Sequence, residues 1–116
     1  MISVINESDF KVEHGLYAVK FWATWCQPCR LMDPMIKKLE EEFSDIKFLS
    51  IDIDQVPELA KKFEIKSIPT LILIKDNEVV ETIVGTHRLS LLKTLFTNLV
   101  TKTKNSEEND NLEIAL

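Results

Sequence analysis

The chain has no apolar run near the roughly 18 residues that a membrane span needs, which argues against a membrane protein. Its first residues, Met1-Ile2-Ser3-Val4-Ile5-Asn6-Glu7, hold neither a cationic stretch nor a long apolar core, so the protein is expected to stay where it is made. Basic residues are outnumbered, 14 against 19 acidic, for a net charge of -5, and they form no stripe. Nucleic acid is therefore not an expected partner, because holding phosphates takes a basic footprint. Cysteine is scarce: 2 in 116 residues are too few for a secreted disulfide scaffold. A close pair of thiols in a reducing compartment points to redox chemistry or to metal, and the cytoplasm is the expected location. Metal is poorly served. A zinc site takes about four ligands, and only His14 and His87 accompany Cys26 and Cys29, neither at finger spacing.

What is present suits one globular domain: 45 % hydrophobic and 28 % charged residues over 116 positions can bury a core. Ile2 to Ile5 is a short apolar run, and Asn6 to Glu13 reads as a brief helix ended by Gly15. Leu16 to Ala23 is nearly all apolar, with β-branched and aromatic residues, and predicts a strand buried on both faces and interrupted only by Lys20. From Pro28, the residues Leu31, Met32, Met35, Ile36, Leu39 and Phe43 recur at three- and four-residue steps against a charged face, which predicts an amphipathic helix bent at Pro34. Ile46 to Ile53 alternates Phe48, Ser50 and Asp52 with Leu49, Ile51 and Ile53, the period of a strand with one partly polar side. Pro57 opens a short helix carrying Leu59 and Phe63. Leu71 to Lys75, Asp76-Asn77 and Val79 to Val84 read as strand, turn, strand, since Asp and Asn tolerate the positive φ of a tight hairpin. Thr86 is the expected cap of a last helix with Leu91, Leu92, Leu95, Phe96 and Leu99 on its apolar stripe. The order βαβαβαββα predicts an α/β fold with a mixed central sheet, parallel at first and closed by an antiparallel hairpin. Residues 1–101 form the expected domain, and 102–116, polar until Leu112, the expected flexible tail.

The stretch Phe21-Trp22-Ala23-Thr24-Trp25-Cys26-Gln27-Pro28-Cys29 holds both thiols. It places Cys26 where a strand turns into a helix and Cys29 in that helix's first turn. Free amides and the positive end of the helix dipole stabilise a thiolate there, so Cys26 reads as the nucleophile. Cys29, within disulfide reach and less accessible, reads as the resolving thiol of a dithiol-disulfide exchange. Inert core cysteines are the alternative, but a pair that opens a helix behind a buried strand is badly hidden.

Together with Pro34, Asp54, Pro57, Ile68-Pro69-Thr70 and Val84-Gly85, this stretch makes residues 2 to about 100 resemble the thioredoxin family. The resemblance implies a thioredoxin fold, a mixed sheet of about five strands flanked by about four helices. It implies a monomeric protein-disulfide reductase with no bound cofactor, re-reduced by thioredoxin reductase, a flavoprotein that draws on NADPH, and acting on disulfide-containing proteins. It also implies a cis Ile68-Pro69 bond facing Cys26 and an apolar patch of Trp25, Pro28, Ile68, Pro69, Val84 and Gly85 around an exposed Cys26 sulfur. Substrates would dock there by main-chain pairing, with Gln27 also in the docking surface. For Gly85 alone, a strand bulge is the plainer reading.

Three positions depart from the family's pattern. Lys20 stands where the family usually has a buried aspartate that accepts the second cysteine's proton, and that aspartate's usual lysine partner corresponds to Ser50. A lysine in so apolar a strand costs desolvation unless paired or neutral, and Asp52 is the expected partner; the alternative is that Lys20 snorkels to the surface. If charged, Lys20 favours the Cys29 thiolate; if neutral, it can itself accept the proton. Gln27 stands where glycine is usual and Asn77 where a hairpin glycine is frequent. A relative with another electron donor or a more oxidising poise is thus the second reading, and a binding module with dispensable thiols the third.

Overall fold

The computed structural model describes residues 1–101; the expected tail, 102–116, lies outside the described residues. Strands β1 (Ile2–Val4), β2 (Leu16–Trp22), β3 (Ile46–Asp52), β4 (Thr70–Lys75) and β5 (Glu78–Val84) form one sheet in the order β1-β3-β2-β4-β5. β1, β3 and β2 run parallel, while β4 is antiparallel to both β2 and β5. Helices α1 (Gln27–Glu42), α2 (Pro57–Lys62) and α3 (89–101) complete the layers.

The period of two along β2 divides the core. Ala18 faces one side with Met32, Ile36 and Leu39 of α1 and Leu92, Phe96 and Leu99 of α3. Tyr17, Val19 and Phe21 face the other with Ile51 and with Leu59 of α2. A strand covered on both faces must be apolar on both, which explains its nearly unbroken hydrophobic run. α1 continues through Pro34 as one helix. The Asp76-Asn77 turn is as expected, both residues having positive φ (49° and 71°), and Asp76 is tied to Gly15 by Gly15 N–H to Asp76 Oδ1 at 2.8 Å.

Two local expectations are corrected. Asn6 to Glu13 forms a single 3₁₀ turn, Glu7–Asp9, capped by Asn6, after which Phe10 packs edge-on to Phe63 with centroids 5.4 Å apart. That aromatic contact with the main body outweighs local helix propensity, and three α-helices plus this turn replace the four helices expected among the described residues. Thr86 does not cap α3: the helix begins three residues later, with the Leu91 and Leu92 amides donating to the Arg88 carbonyl at 3.1 and 3.2 Å. The intervening chain follows Gly85, whose φ of +87° lies in the region that favours glycine.

Phe96 anchors the α1/α3 side, stacked on Phe48 with centroids 5.7 Å apart and 0 % exposed. Replacing Phe96 with Ala should cost about 3–5 kcal/mol, read as a lowered urea midpoint, whereas Val79→Ala on the exposed surface of β5 should shift it little.

Candidate active site

β2, the central strand, delivers the chain to one end of the sheet, and Ala23 to Trp25 turn it into α1, the turn closed by Cys26 N–H donating to the Ala23 carbonyl at 3.1 Å. Cys26 is the N-cap of α1, extended at φ -90° and ψ 102°, and its sulfur accepts the Cys29 amide at 3.2 Å. Pro28 occupies the first turn, where its missing N–H costs nothing. Cys26 and Cys29 are joined as a disulfide with Cα atoms 5.4 Å apart. The Cys29 amide and the helix N-terminus that face the Cys26 sulfur are groups that favour a negative charge.

The pair is covered. Cys26 is 4 % and Cys29 2 % exposed, packed with Ala23 and against Trp22, Ile53 and Ile68. The exposed Cys26 sulfur expected from the sequence is thus corrected: Cys26 is the more accessible of the two, but by little, because side chains from three segments close over the disulfide.

The Ile68-Pro69 bond is cis, and Ile68 belongs to the cover. Pro69 is buried, its carbonyl accepting the Gly85 amide at 2.8 Å, and Thr70 pairs with Val84 across the sheet. The Ile68-Pro69 and Val84-Gly85 segments are therefore joined at one end of the sheet, beside the cysteines. The register irregularity of β5 falls opposite Leu73 and Ile74, not at Gly85, which rules out the bulge reading for that glycine. Of the expected patch, Trp25 (66 %), Val84 (53 %), Pro28 and Gln27 are exposed. Pro69 contributes backbone rather than surface.

Trp25 is held upright by its indole N–H, which donates to Asp54 Oδ2 at 2.7 Å. A cleft beside it is lined by Thr24, Trp25, Gln27, Arg30 and Leu31. Asp54 was legible only as part of the family pattern, and its tie to Trp25 is a tertiary contact without a local sequence signal.

Lys20 is buried, 8 % exposed, and its Nζ lies 2.7 Å from Asp33 Oδ1 and 5.4 Å from the centre of the Trp22 ring. Both expectations for it are corrected. Asp52 is not the partner, because the parallel register sets it opposite Trp22 at the strand end, where its Oδ1 accepts the Asp54 amide at 2.9 Å. Nor does the ammonium reach open solvent, since α1 covers it and supplies the carboxylate. Asp33 was missed, although its place four residues after Cys29 on the helix was visible. His14 faces Asp76 at 3.7 Å and His87 the Val84 carbonyl at 2.8 Å. Among the described residues, no three His, Cys, Asp or Glu side chains are grouped to hold a metal ion, and no helix is long and apolar enough to cross a membrane.

Comparison with known proteins agrees with this geometry. The Thioredoxin family model matches residues 3–98. The thioredoxin of Listeria monocytogenes is 43 % identical over 88 residues, 73 % of this chain and 85 % of the relative. That of Staphylococcus epidermidis is 43 % identical over 84 residues, 70 % and 81 % of the two. Among solved structures, Plasmodium falciparum thioredoxin superposes with a TM-score of 0.79 at 29 % identity, covering 84 % of this chain and 98 % of that one. Oxidised mitochondrial thioredoxin 3 of Saccharomyces cerevisiae gives 0.78 at 29 %, covering 84 % and 94 %. A cysteine pair at disulfide distance on a helix start, within a fold and a sequence shared with these proteins, makes the chain a thiol-disulfide oxidoreductase and a member of the thioredoxin family.

Proposed function

We propose that the chain reduces disulfides of other proteins with Cys26 as the attacking thiolate and Cys29 as the resolving thiol. The observation that carries this reading is the Cys29 amide aimed at the Cys26 sulfur on the N-terminus of α1. The Cys26 thiolate attacks one sulfur of the substrate disulfide and forms a mixed disulfide, and the other substrate sulfur leaves as a thiolate that takes up a proton. Cys29 then loses its proton and attacks the Cys26 sulfur. The mixed disulfide breaks, the substrate departs as a dithiol, and the protein keeps the Cys26–Cys29 disulfide.

An extended substrate segment pairs with the backbone of Ile68, while Trp25, Gln27, Pro28, Pro69, Val84 and Gly85 surround it. Lys20, buried on β2, pairs with Asp33 of α1, the helix that carries Cys29. In a cytoplasmic setting, thioredoxin reductase returns two electrons from NADPH to the disulfide, and no cofactor resides on this chain. A second reading, a different electron donor or a more oxidising poise, is favoured by Gln27 between the cysteines and by the Lys20–Asp33 pair between β2 and α1.

With insulin as substrate, Cys26→Ser should abolish turnover, and Cys29→Ser should accumulate Cys26-linked mixed disulfides visible on non-reducing gels; a Cys29→Ser protein that traps nothing contradicts the assignment. NADPH oxidation by a bacterial thioredoxin reductase should depend on this protein when insulin is the final acceptor. Absence of coupling, with glutathione able to reduce the pair, would favour the second reading. Asp54→Ala frees the Trp25 indole and should raise KM for insulin several-fold while kcat changes by less than about twofold, since weakening a docking interaction equally in the ground and transition states acts on KM.

A further inference from the structure

We propose that Asp33 accepts the proton of Cys29 in the resolving step, and that Lys20 positions it. The inference rests on the reading in which Cys26 attacks and Cys29 resolves. Asp33 follows Cys29 by four residues on α1, so the two side chains are neighbours on one helix face, with Cβ atoms about 5–6 Å apart. The packing of α1 on β2 brackets the same place from below. Met32 and Ile36 cluster with Ala18, Cys29 clusters with Trp22, and Lys20 stands between Ala18 and Trp22 on that face of the strand. The Lys20–Asp33 pair, 2.7 Å from Nζ to Oδ1, therefore lies under the turn that joins Asp33 to Cys29.

A buried ammonium is an expensive occupant of this strand. A well-packed apolar residue here would avoid the desolvation of the ammonium, whose carboxylate partner is half exposed. The placement makes sense as chemistry. Oδ1 is engaged by Lys20, Oδ2 carries no hydrogen bond from the described residues, and the Asp33 side chain is 56 % exposed, so a proton taken from Cys29 can pass on to solvent. Among the described residues, Asp52, Arg30 and Lys93 have partners of their own, while Lys37 is exposed on α1 as Asp33 is. Asp52 of β3 is held by the Asp54 amide; on α1, Arg30 reaches the Thr24 carbonyl and Lys37 lies one turn beyond Asp33; Lys93 of α3 pairs with Glu42 near the far end of α1.

In the step itself, the Cys29 S–H proton moves to the Asp33 carboxylate, directly or through one water, as the sulfur attacks Cys26 Sγ. The Cys26–substrate S–S bond breaks, the Cys26–Cys29 bond forms, and the two electrons of the broken bond leave on the substrate sulfur. The carboxylic acid returns its proton to that sulfur or to water.

The test uses the reduced protein mixed with one equivalent of 5,5′-dithiobis(2-nitrobenzoate). Attack by Cys26 releases one nitrothiobenzoate, and resolution by Cys29 releases a second in a slower, concentration-independent phase. In Asp33→Asn the second phase should slow by about a hundredfold at pH 7, the low end of what a general base contributes. Its rise with pH should move to higher pH, and the first phase should persist. Asp33→Glu, which keeps a carboxylate, should restore most of the rate. The double variant Lys20→Met, Asp33→Leu removes both charges in a well-packed form, and it should show the same slow phase if Asp33→Asn fails to fold. A field effect alone has the opposite sign, because losing a negative charge beside Cys29 favours its thiolate and speeds resolution at neutral pH. A second phase in Asp33→Asn that is unchanged or faster overturns the proposal, as does equal slowing of the Asn and Glu variants at every pH. Loss of the first phase would instead count against Cys26 as the attacking thiol.

Discussion

The contact on which the site depends is the amide of Cys29 donating to the sulfur of Cys26 at 3.2 Å. It exists because Cys26 stops short of helical geometry while the next residue begins α1, so the side chain folds back over amides that have no partner within the helix. A sulfur in that position is favoured as an anion, and the residue three places on lies within disulfide distance. Much of the surrounding architecture serves to aim this helix end. β2 is covered on both faces and is therefore a firm base, and the apolar stripe of α1 fastens the helix across it through Met32, Ile36 and Leu39.

Second to that contact is the cover over the pair. Trp22, Ile53 and Ile68 arrive from the end of β2, the turn after β3 and the loop before β4, three segments brought to one end of the sheet by its strand order. At the same end of the sheet Gly85 is tied to Pro69 and Thr70 pairs with Val84, while Asp54 holds the Trp25 indole.

Much of this was legible before the fold was seen. The three- and four-residue spacing from Leu31 to Phe43 marked α1, the alternation from Ile46 marked β3, and Asp76-Asn77 marked the hairpin, because each of these rests on a local period or a local backbone demand. The thiol pair announced its own chemistry by standing at a strand-to-helix junction. What local pattern could not supply was the outcome of tertiary competition. The helix expected after Asn6 yielded to the packing of Phe10 on Phe63, and α3 began beyond Thr86 because the chain first turns at Gly85. The partner of Lys20 was misassigned for the same reason. Strand parity correctly set Asp52 on the face of Lys20, but register put it opposite Trp22, while the helix crossing above supplied Asp33.

The central claim, that the N-terminus of α1 singles out one sulfur, is tested most directly by alkylation of the reduced protein with limiting iodoacetamide at pH 7, followed by mass spectrometry of each cysteine peptide. Stabilisation of the Cys26 thiolate predicts that Cys26 is modified at least about tenfold faster than Cys29. Equal rates, or faster modification of Cys29, would contradict the account.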